Sequence, residues 1–176
     1  MTTLYVDNIA PNLQSKISAP NLTLPTGSIL QVQNGTLKTR TTMSSTAVAA
    51  TNLTASITPT STSSKILIEV TAGWGMSDHN LGNFYLHRNG SNLISGTNGN
   101  AWQIFQNQVQ GGTSSNSNGF YVPLALSYMD TPSSTSALTY SLHFSTDNGS
   151  ATVHFNSRPQ SNQPGYAQMK LMEIAG

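Results

Sequence analysis

The chain has 176 residues, only 7% of them charged, and its formal net charge at pH 7 is +1. A typical soluble protein has about 25% charged residues, and so neutral a chain has no electrostatic reason to bind nucleic acid or an anionic membrane. It contains no cysteine, which excludes disulfides and thiolate metal sites. The length allows one domain with a substantial core, together with a tail.

The polar composition favours β-structure over disorder. Ser, Thr, Asn and Gln make up about 40% of the residues. Disorder usually combines low hydrophobicity with high net charge, and here the high charge is missing. No apolar segment reaches the ~20 residues of a membrane-spanning helix, and the first residues lack the basic start and apolar run of a signal peptide. We therefore expect a protein that is synthesised and folded in a cytoplasm and does not insert into membranes.

Residues 1–26 differ from the remainder. Pro11, Pro20 and Pro25 interrupt this segment, and proline cannot donate to a sheet ladder. The pattern predicts an extended N-terminal arm over 1–26 and a β-domain over 27–176. A flexible terminus is the alternative, but we favour an arm that anchors the protein to a larger assembly. The candidate anchoring residues are Leu4, Tyr5, Val6, Ile9, Leu13 and Ile17.

The rest of the chain is organised around the stretch Leu53–Thr71. It combines a short strand, a turn rich in Ser, Thr and Pro, and a strongly β-forming segment, Lys65–Thr71. Alternation along that segment places Ile66, Ile68 and Val70 on one face. The sequence therefore predicts a half-buried strand here, with short strands of the same kind following it.

Three Asn-Gly pairs, at 34–35, 89–90 and 148–149, are strong signals for two-residue hairpins. They predict pairing of 28–33 with 36–42, of 83–88 with 91–95, and of 138–145 with 151–155. In the third hairpin Phe144 faces Val153, and His143 lies opposite His154.

Further strands are predicted at Ala101–Val109, Phe120–Met129 and Tyr166–Ile174, with a polar loop over 111–118. Glycines on either side of Trp74 indicate a bulge or a close backbone approach. About ten short strands without a helical period predict an all-β fold, an antiparallel β-sandwich or jelly roll.

No catalytic or metal-binding constellation is evident. His143 and His154 could share a metal in the predicted register, but no Cys or carboxylate alternates beside them to complete a site. Asp78 and His79 are adjacent in sequence, which rarely lets one residue orient the other. Asp130, Asp147 and Glu173 are isolated in the sequence, so they do not form a pair of catalytic carboxylates. We therefore expect no catalytic residue, no metal, no cofactor and no enzymatic activity.

Aromatic residues offer another kind of site, because a flat ring can stack on a sugar. The rings that could do so belong to Trp74, Trp102, Tyr121 and Tyr128. In a β-sandwich such residues are more often core or interface residues. The candidate ligand contacts are Trp74, His79 and Trp102.

Several segments resemble virion proteins of tailed bacteriophages, especially phages of marine bacteria and cyanobacteria. These relatives are called tail-fibre-like, head-fibre or decoration proteins. The similarity covers nearly the whole chain, although Ser44–Ala50 stands where relatives carry an aromatic-rich segment. The segments that carry it are LYVDNI (4–9), LPTGSILQV (24–32), SITPTSTSSKILI (56–68), YMDTP (128–132), LTYSL (138–142) and MEI (172–174).

The resemblance implies a non-enzymatic virion structural protein. It further implies a homotrimer of jelly-roll domains similar to the C1q/TNF arrangement, docked by its N-terminal arm on other virion proteins of the capsid or tail. Its location would be the virion, after synthesis in the bacterial host cytoplasm.

Two other hypotheses remain open. One is a receptor- or glycan-binding tip, in which Trp74, Trp102 or the 111–118 loop contacts a host surface glycan. The other is a hydrolase such as a depolymerase, which would need carboxylates to converge in a groove. The carboxylates available for that groove are Asp78, Asp130 and Asp147.

Overall fold

The computed structural model describes residues 24–76, 82–93, 105–106, 120–146, 152–158 and 163–176. These residues form eleven β-strands and no helix. The strands are β1 (Ile29–Leu37), β2 (Thr41–Met43), β3 (Ala49–Ile57), β4 (Lys65–Met76), β5 (Gly82–Arg88), β6 (Ser91–Asn92), β7 (Phe105–Gln106), β8 (Phe120–Asp130), β9 (Leu138–Thr146), β10 (Val153–Phe155) and β11 (Ala167–Ile174).

The long strand β4 lies at the centre of the first sheet, sheet A. Along one edge it pairs with β8 over its whole length beyond Lys65. Its other edge is shared, because β11 pairs with the first half of β4 and β10 pairs with Trp74–Met76. Outside them, β1 pairs with β11 and β2 with β10. All these pairings are antiparallel, as predicted.

The second sheet, sheet B, has the order β3-β9-β5-β6, with β7 also paired to β5. The buried faces of the two sheets share one hydrophobic core. Across it, the Trp74 ring of sheet A packs edge-on against the Phe84 ring of sheet B, with centroids 5.2 Å apart. The all-β prediction is confirmed, and the arrangement is consistent with a β-sandwich.

The predicted alternation of β4 is confirmed. Ile66, Ile68 and Val70 are completely buried, whereas Thr71 is exposed. The predicted strands that became β8, β9 and β11 also occur, with ends shifted by at most one residue. Hydrophobic burial on one face of each strand therefore selects the elements that the sequence pattern indicated.

Two predictions about glycine and turns are confirmed. Asn89 and Gly90 form the two-residue turn between β5 and β6, with φ values of 49° and 83° that suit a type I′ turn. Gly73 permits a close approach, because a Cβ there would overlap the Tyr121 side chain.

The predicted hairpin at Asn34-Gly35 is wrong. Both residues lie inside β1, which runs without a turn and pairs with β11. Glycine is required there for another reason: a Cβ on Gly35 would overlap the backbone carbonyl of Thr54, in β3 of the other sheet. An Asn-Gly pair thus marks a close contact between the sheets instead of a turn.

The predicted pairing of β9 with β10 is also wrong. β9 lies in sheet B and β10 lies in sheet A, so the chain crosses from one sheet to the other between them. Phe144 and Phe155 still meet, but across the core, with ring centroids 6.3 Å apart. The apolar alternation would be the same whether β9 and β10 paired in one sheet or faced each other across the core. The predicted turn at 148–149 lies outside the described residues.

The turn rich in Ser, Thr and Pro between β3 and β4 is held by the carboxylate of Glu173, which is completely buried. Its Oε1 accepts hydrogen bonds from the Thr60 backbone N–H, the Thr60 hydroxyl and the Ser64 hydroxyl, at 2.6–2.7 Å. Its Oε2 accepts one from Gln31 at 2.7 Å. Burial raises the pKa of Glu173, but these hydrogen bonds outweigh burial and the net pKa is lowered.

A second buried carboxylate joins the two sheets. Asp130, at the end of β8, accepts hydrogen bonds from Arg88 at 2.8 and 2.9 Å and from the Tyr140 hydroxyl at 2.7 Å. Arg88 and Tyr140 are paired neighbours in sheet B. Burial, assisted by the hydrogen bond to Asp130, raises the pKa of Tyr140, so its hydroxyl remains a donor.

We predict that Gly35→Ala destabilises the fold by about 3 kcal/mol, because a backbone carbonyl cannot move aside for the added methyl group. Gly90→Ala is the control: it has free space around it and loses only about 1 kcal/mol to its positive φ. Urea unfolding of both variants measures the difference. Equal losses would refute the close-contact explanation.

We predict that Glu173→Gln costs about 2 kcal/mol of stability at pH 7, because one carboxylate acceptor becomes a donor facing Gln31. The folded state favours the ionised form, so this stabilisation is complete above pH 4.5 and is lost as the pH falls through the lowered pKa. The gap between wild type and variant should therefore narrow towards pH 3.

The matched control is Glu69→Gln, whose carboxylate is solvent-exposed on the sheet surface and should change stability by less than about 0.5 kcal/mol. Denaturant unfolding at pH 7 and pH 3 provides the measurement. A gap for Glu173→Gln that does not change with pH would contradict the role of its charge.

Candidate functional site

An apolar row crosses the outer face of sheet A. Its members come from four adjacent strands and are directly paired, so their side chains point to the same side. Val32 and Met129 at the two ends are each 45% exposed, and Ile29 beside the row is 55% exposed. The members of this apolar row are Val32, Met172, Leu67 and Met129.

The next row of paired residues towards the sheet centre is polar. It contains Asn34, Lys170, Glu69 and Ser127. The Lys170 ammonium lies 3.5 Å from the Glu69 carboxylate, and both side chains are about two-fifths exposed. This polar row thus carries one charge of each sign and no net charge, while Lys65 is exposed on the other side of Leu67.

The chain enters the sheet at the same end. Pro25 accepts a hydrogen bond from the Ser28 N–H, and Gly27 has a φ of 89°, which suits the third position of a type II turn. The Gly27 N–H donates to the Ala175 carbonyl, just beyond β11. Residues 1–23 therefore connect to the domain close to Ile29 and the apolar row.

The opposite end of the same face has a different construction. β10 and β11 pair with successive parts of the same edge of β4. Between these two strands the chain turns away from that edge, opposite Gly73. Asn156 is the first residue after β10 in this connection to β11, which we call the excursion. It is completely buried and has a φ of 60°. Its N–H donates to the Gly73 carbonyl, and its carbonyl accepts from the Gly165 N–H, both at 2.7 Å.

A surface depression of about 270 Å³ lies beside this excursion. It is lined by Tyr121, Ser157, Arg158, Gln163, Pro164 and Gly165. The Tyr121 side chain, 49% exposed, reaches from β8 across Gly73 towards Gly165. Gly75, at this end of β4, is eight positions along the strand from Leu67 in the apolar row, a separation of about 27 Å.

The candidate ligand contacts have separate outcomes. Trp74 is 1% exposed and packs in the core against Phe84, so its indole presents no face to a ligand. His79 and Trp102 lie outside the described residues. All the candidate anchoring residues (Leu4, Tyr5, Val6, Ile9, Leu13 and Ile17) also lie outside them, as does the polar loop 111–118.

The predicted juxtaposition of His143 and His154 is wrong, because their strands belong to different sheets. His143 instead stacks on His87, with ring centroids 3.8 Å apart. Burial, followed by the nearby His87, lowers the pKa of His143 to about 4. His154 is buried between β2 and β4, and burial, with a contribution from Arg40, lowers its pKa too.

Within the described part of the chain, the buried carboxylates serve the fold. Asp130 and Glu173 accept hydrogen bonds from other side chains and backbone groups of the fold. Among the described residues, no group of three or more His, Cys, Asp or Glu residues could hold a metal ion. Asp78 and Asp147, the other two carboxylates of the depolymerase hypothesis, lie outside the described residues. No helix in the described residues is long and apolar enough to span a membrane.

Sequence reasoning missed both the apolar row and the depression. The row consists of one residue from each of four distant segments, and each looks like an isolated exposed apolar residue in its own strand. Tyr121 was considered as a stacking ring, but its neighbours in the depression come from the 157–165 region. Only the pairing of β4 with β8, β10 and β11 brings these residues together.

Comparison with known proteins adds no family assignment. No protein-family model matches the chain, and no curated protein is significantly similar to it. The functional proposal therefore depends on the residues and contacts described above, together with the resemblance seen in the sequence.

Proposed function

We propose that this chain is a non-enzymatic structural protein of a bacteriophage virion, a homotrimer of jelly-roll domains of the C1q/TNF type. Its N-terminal arm, residues 1–26, docks it on a capsid or tail protein. The observation that carries the proposal is the apolar row on sheet A, an exposed hydrophobic surface that a monomer has no reason to keep.

Further copies of this chain are the occupants that suit the apolar row best. The adjacent polar row presents both Lys170 and Glu69 and no net charge, so two copies of this surface do not repel each other. A chain with 7% charged residues also has few ions to desolvate when it associates. Symmetric homo-oligomers are the commonest assemblies of identical chains.

The position of the arm supports the second part of the proposal. The arm joins the domain beside Ile29, at the end of sheet A that carries the apolar row. Three copies associated through that region would bring three arms together at one end. Several arms on one particle raise the local concentration of each, so weak individual contacts suffice for stable attachment.

To test the oligomer, we predict that the double variant Val32→Gln, Met129→Gln converts a trimer to monomers, because two amides replace apolar contacts at the interface. Native mass spectrometry of the full chain measures the subunit number. Val48→Gln, an exposed apolar residue between β2 and β3, is the matched control and should remain trimeric. A monomeric wild-type protein would refute the oligomer.

To test the arm, we predict that deletion of residues 1–25 leaves a folded domain that no longer joins virions, because the docking segment is gone. Mass spectrometry of purified particles assembled with the truncated chain measures its incorporation. Circular dichroism and the subunit number of the truncated chain control for folding. Normal incorporation of a folded, truncated chain would rule out the anchoring role.

A further inference from the structure

A buried amide anchors the segment that begins the wall of the depression beside Tyr121. The Asn156 side-chain amide nitrogen donates to the carbonyls of Leu37, Thr39 and Gly165, at 2.9, 3.3 and 3.0 Å. Three surrounding acceptors fix which end of the amide is nitrogen. The excursion between β10 and β11 is therefore tied to β1 and the segment after it through a single buried side chain.

This orientation leaves the Asn156 Oδ1 atom without a hydrogen-bond partner, although it is buried. A buried acceptor of this kind requires an explanation, because nearly all are satisfied in folded proteins. Oδ1 lies 3.0 Å from the position that a Cβ on Gly165 would occupy, and the Tyr121 hydroxyl lies 3.1 Å from the same position. The two oxygens leave less room than a Cβ needs, so glycine at 165 lets the chain pack against both of them at the edge of the depression.

Two further groups give the depression its chemistry. Tyr121 is half-exposed, so part of its ring is available for stacking. Arg158 is exposed on the wall, and the described ion pairs, Arg88–Asp130 and Glu69–Lys170, lie elsewhere. Its guanidinium is therefore available to bind a carboxylate through two parallel hydrogen bonds.

We infer that this depression is a binding site for an acidic monosaccharide unit, a sugar ring that carries a carboxylate. The sugar's apolar face stacks on Tyr121 and its carboxylate pairs with Arg158. The volume of about 270 Å³ lies just below the range of roughly 300–1,000 Å³ for drug-sized ligands, which fits a single ring.

Other ligand classes fit less well. A single cation is too little for nucleic acid, whose binding depends on several phosphate contacts. The lining has no large aliphatic side chain, so it offers no pocket for the apolar anchor residue of a peptide. The site lies within one subunit, so it requires neither the trimer nor the arm.

The test titrates the full-length protein with glucuronate, glucose and acetate, monitored by NMR chemical shifts of the tyrosine rings. We expect glucuronate to bind with a dissociation constant on the order of 1 mM, glucose at least about tenfold more weakly, and acetate more weakly still, because only glucuronate supplies both ring and charge. No binding of glucuronate at concentrations well above that constant would overturn the inference.

Variants assign the contacts. Arg158→Ala should abolish the preference for glucuronate over glucose, and Tyr121→Ala should weaken both sugars by about fivefold or more. Gly165→Ala should also weaken both, because its methyl group would push the Tyr121 hydroxyl out of position. Matched controls are Lys38→Ala and Tyr166→Ala, an exposed cation and an exposed tyrosine that do not line the depression.

Each variant is first checked for an unchanged unfolding midpoint, and Tyr121→Phe is measured beside Tyr121→Ala; a loss of affinity as large for Phe as for Ala would contradict stacking on the ring. Tyr121→Phe keeps the ring and should retain most of the affinity. If Arg158→Ala retains the full preference for glucuronate, the assignment of the carboxylate contact is wrong. The subunit number, measured separately by native mass spectrometry, bears only on the trimer and not on this site.

Discussion

The pairing of β4 along both of its edges is the constraint on which the rest of the structure depends. β8 occupies one edge, while β11 and β10 share the other. Because side chains alternate with a period of two, this register decides which residues of six strands face the core and which face solvent. At one end of sheet A this register aligns the four residues of the apolar row. At the other end it leaves a gap between β10 and β11, opposite Gly73.

A chain with so few charges holds most of its buried polar groups with hydrogen bonds from neutral donors. Glu173 is ionised and buried, yet its described partners are hydroxyl, amide and backbone donors, not a cation. Asn156 likewise bonds three backbone carbonyls, two in the segment 37–39 and one at Gly165, through one amide. Asp130 is the exception, since Arg88 neutralises it where the two sheets meet. Such short-range, directional contacts hold turns in place without long-range fields that would oppose self-association.

The outer face of sheet A has two ends with different chemistry. Near Leu67 it is apolar and close to the start of the domain, and near Gly75 it is polar, with a half-exposed tyrosine and an arginine. A separation of about 27 Å along β4 allows one end to be buried in an assembly while the other stays in solvent. This difference between the two ends fits the proposal of a protein that is attached at its apolar end and exposes its polar end to solvent.

The sequence by itself determined the all-β class, most strand positions, the Asn89-Gly90 turn and the buried face of β4, because these depend on local alternation and turn geometry. It could not decide sheet membership. The alternation of apolar residues in β9 and β10 is compatible with two arrangements: the strands can pair in one sheet, or face each other across the core. The Asn34-Gly35 pair is likewise compatible with a turn or with a close contact between the sheets. Only the tertiary structure decided these, together with the apolar row and the depression, because each is created by strands far apart in the chain whose register is set by burial and steric fit.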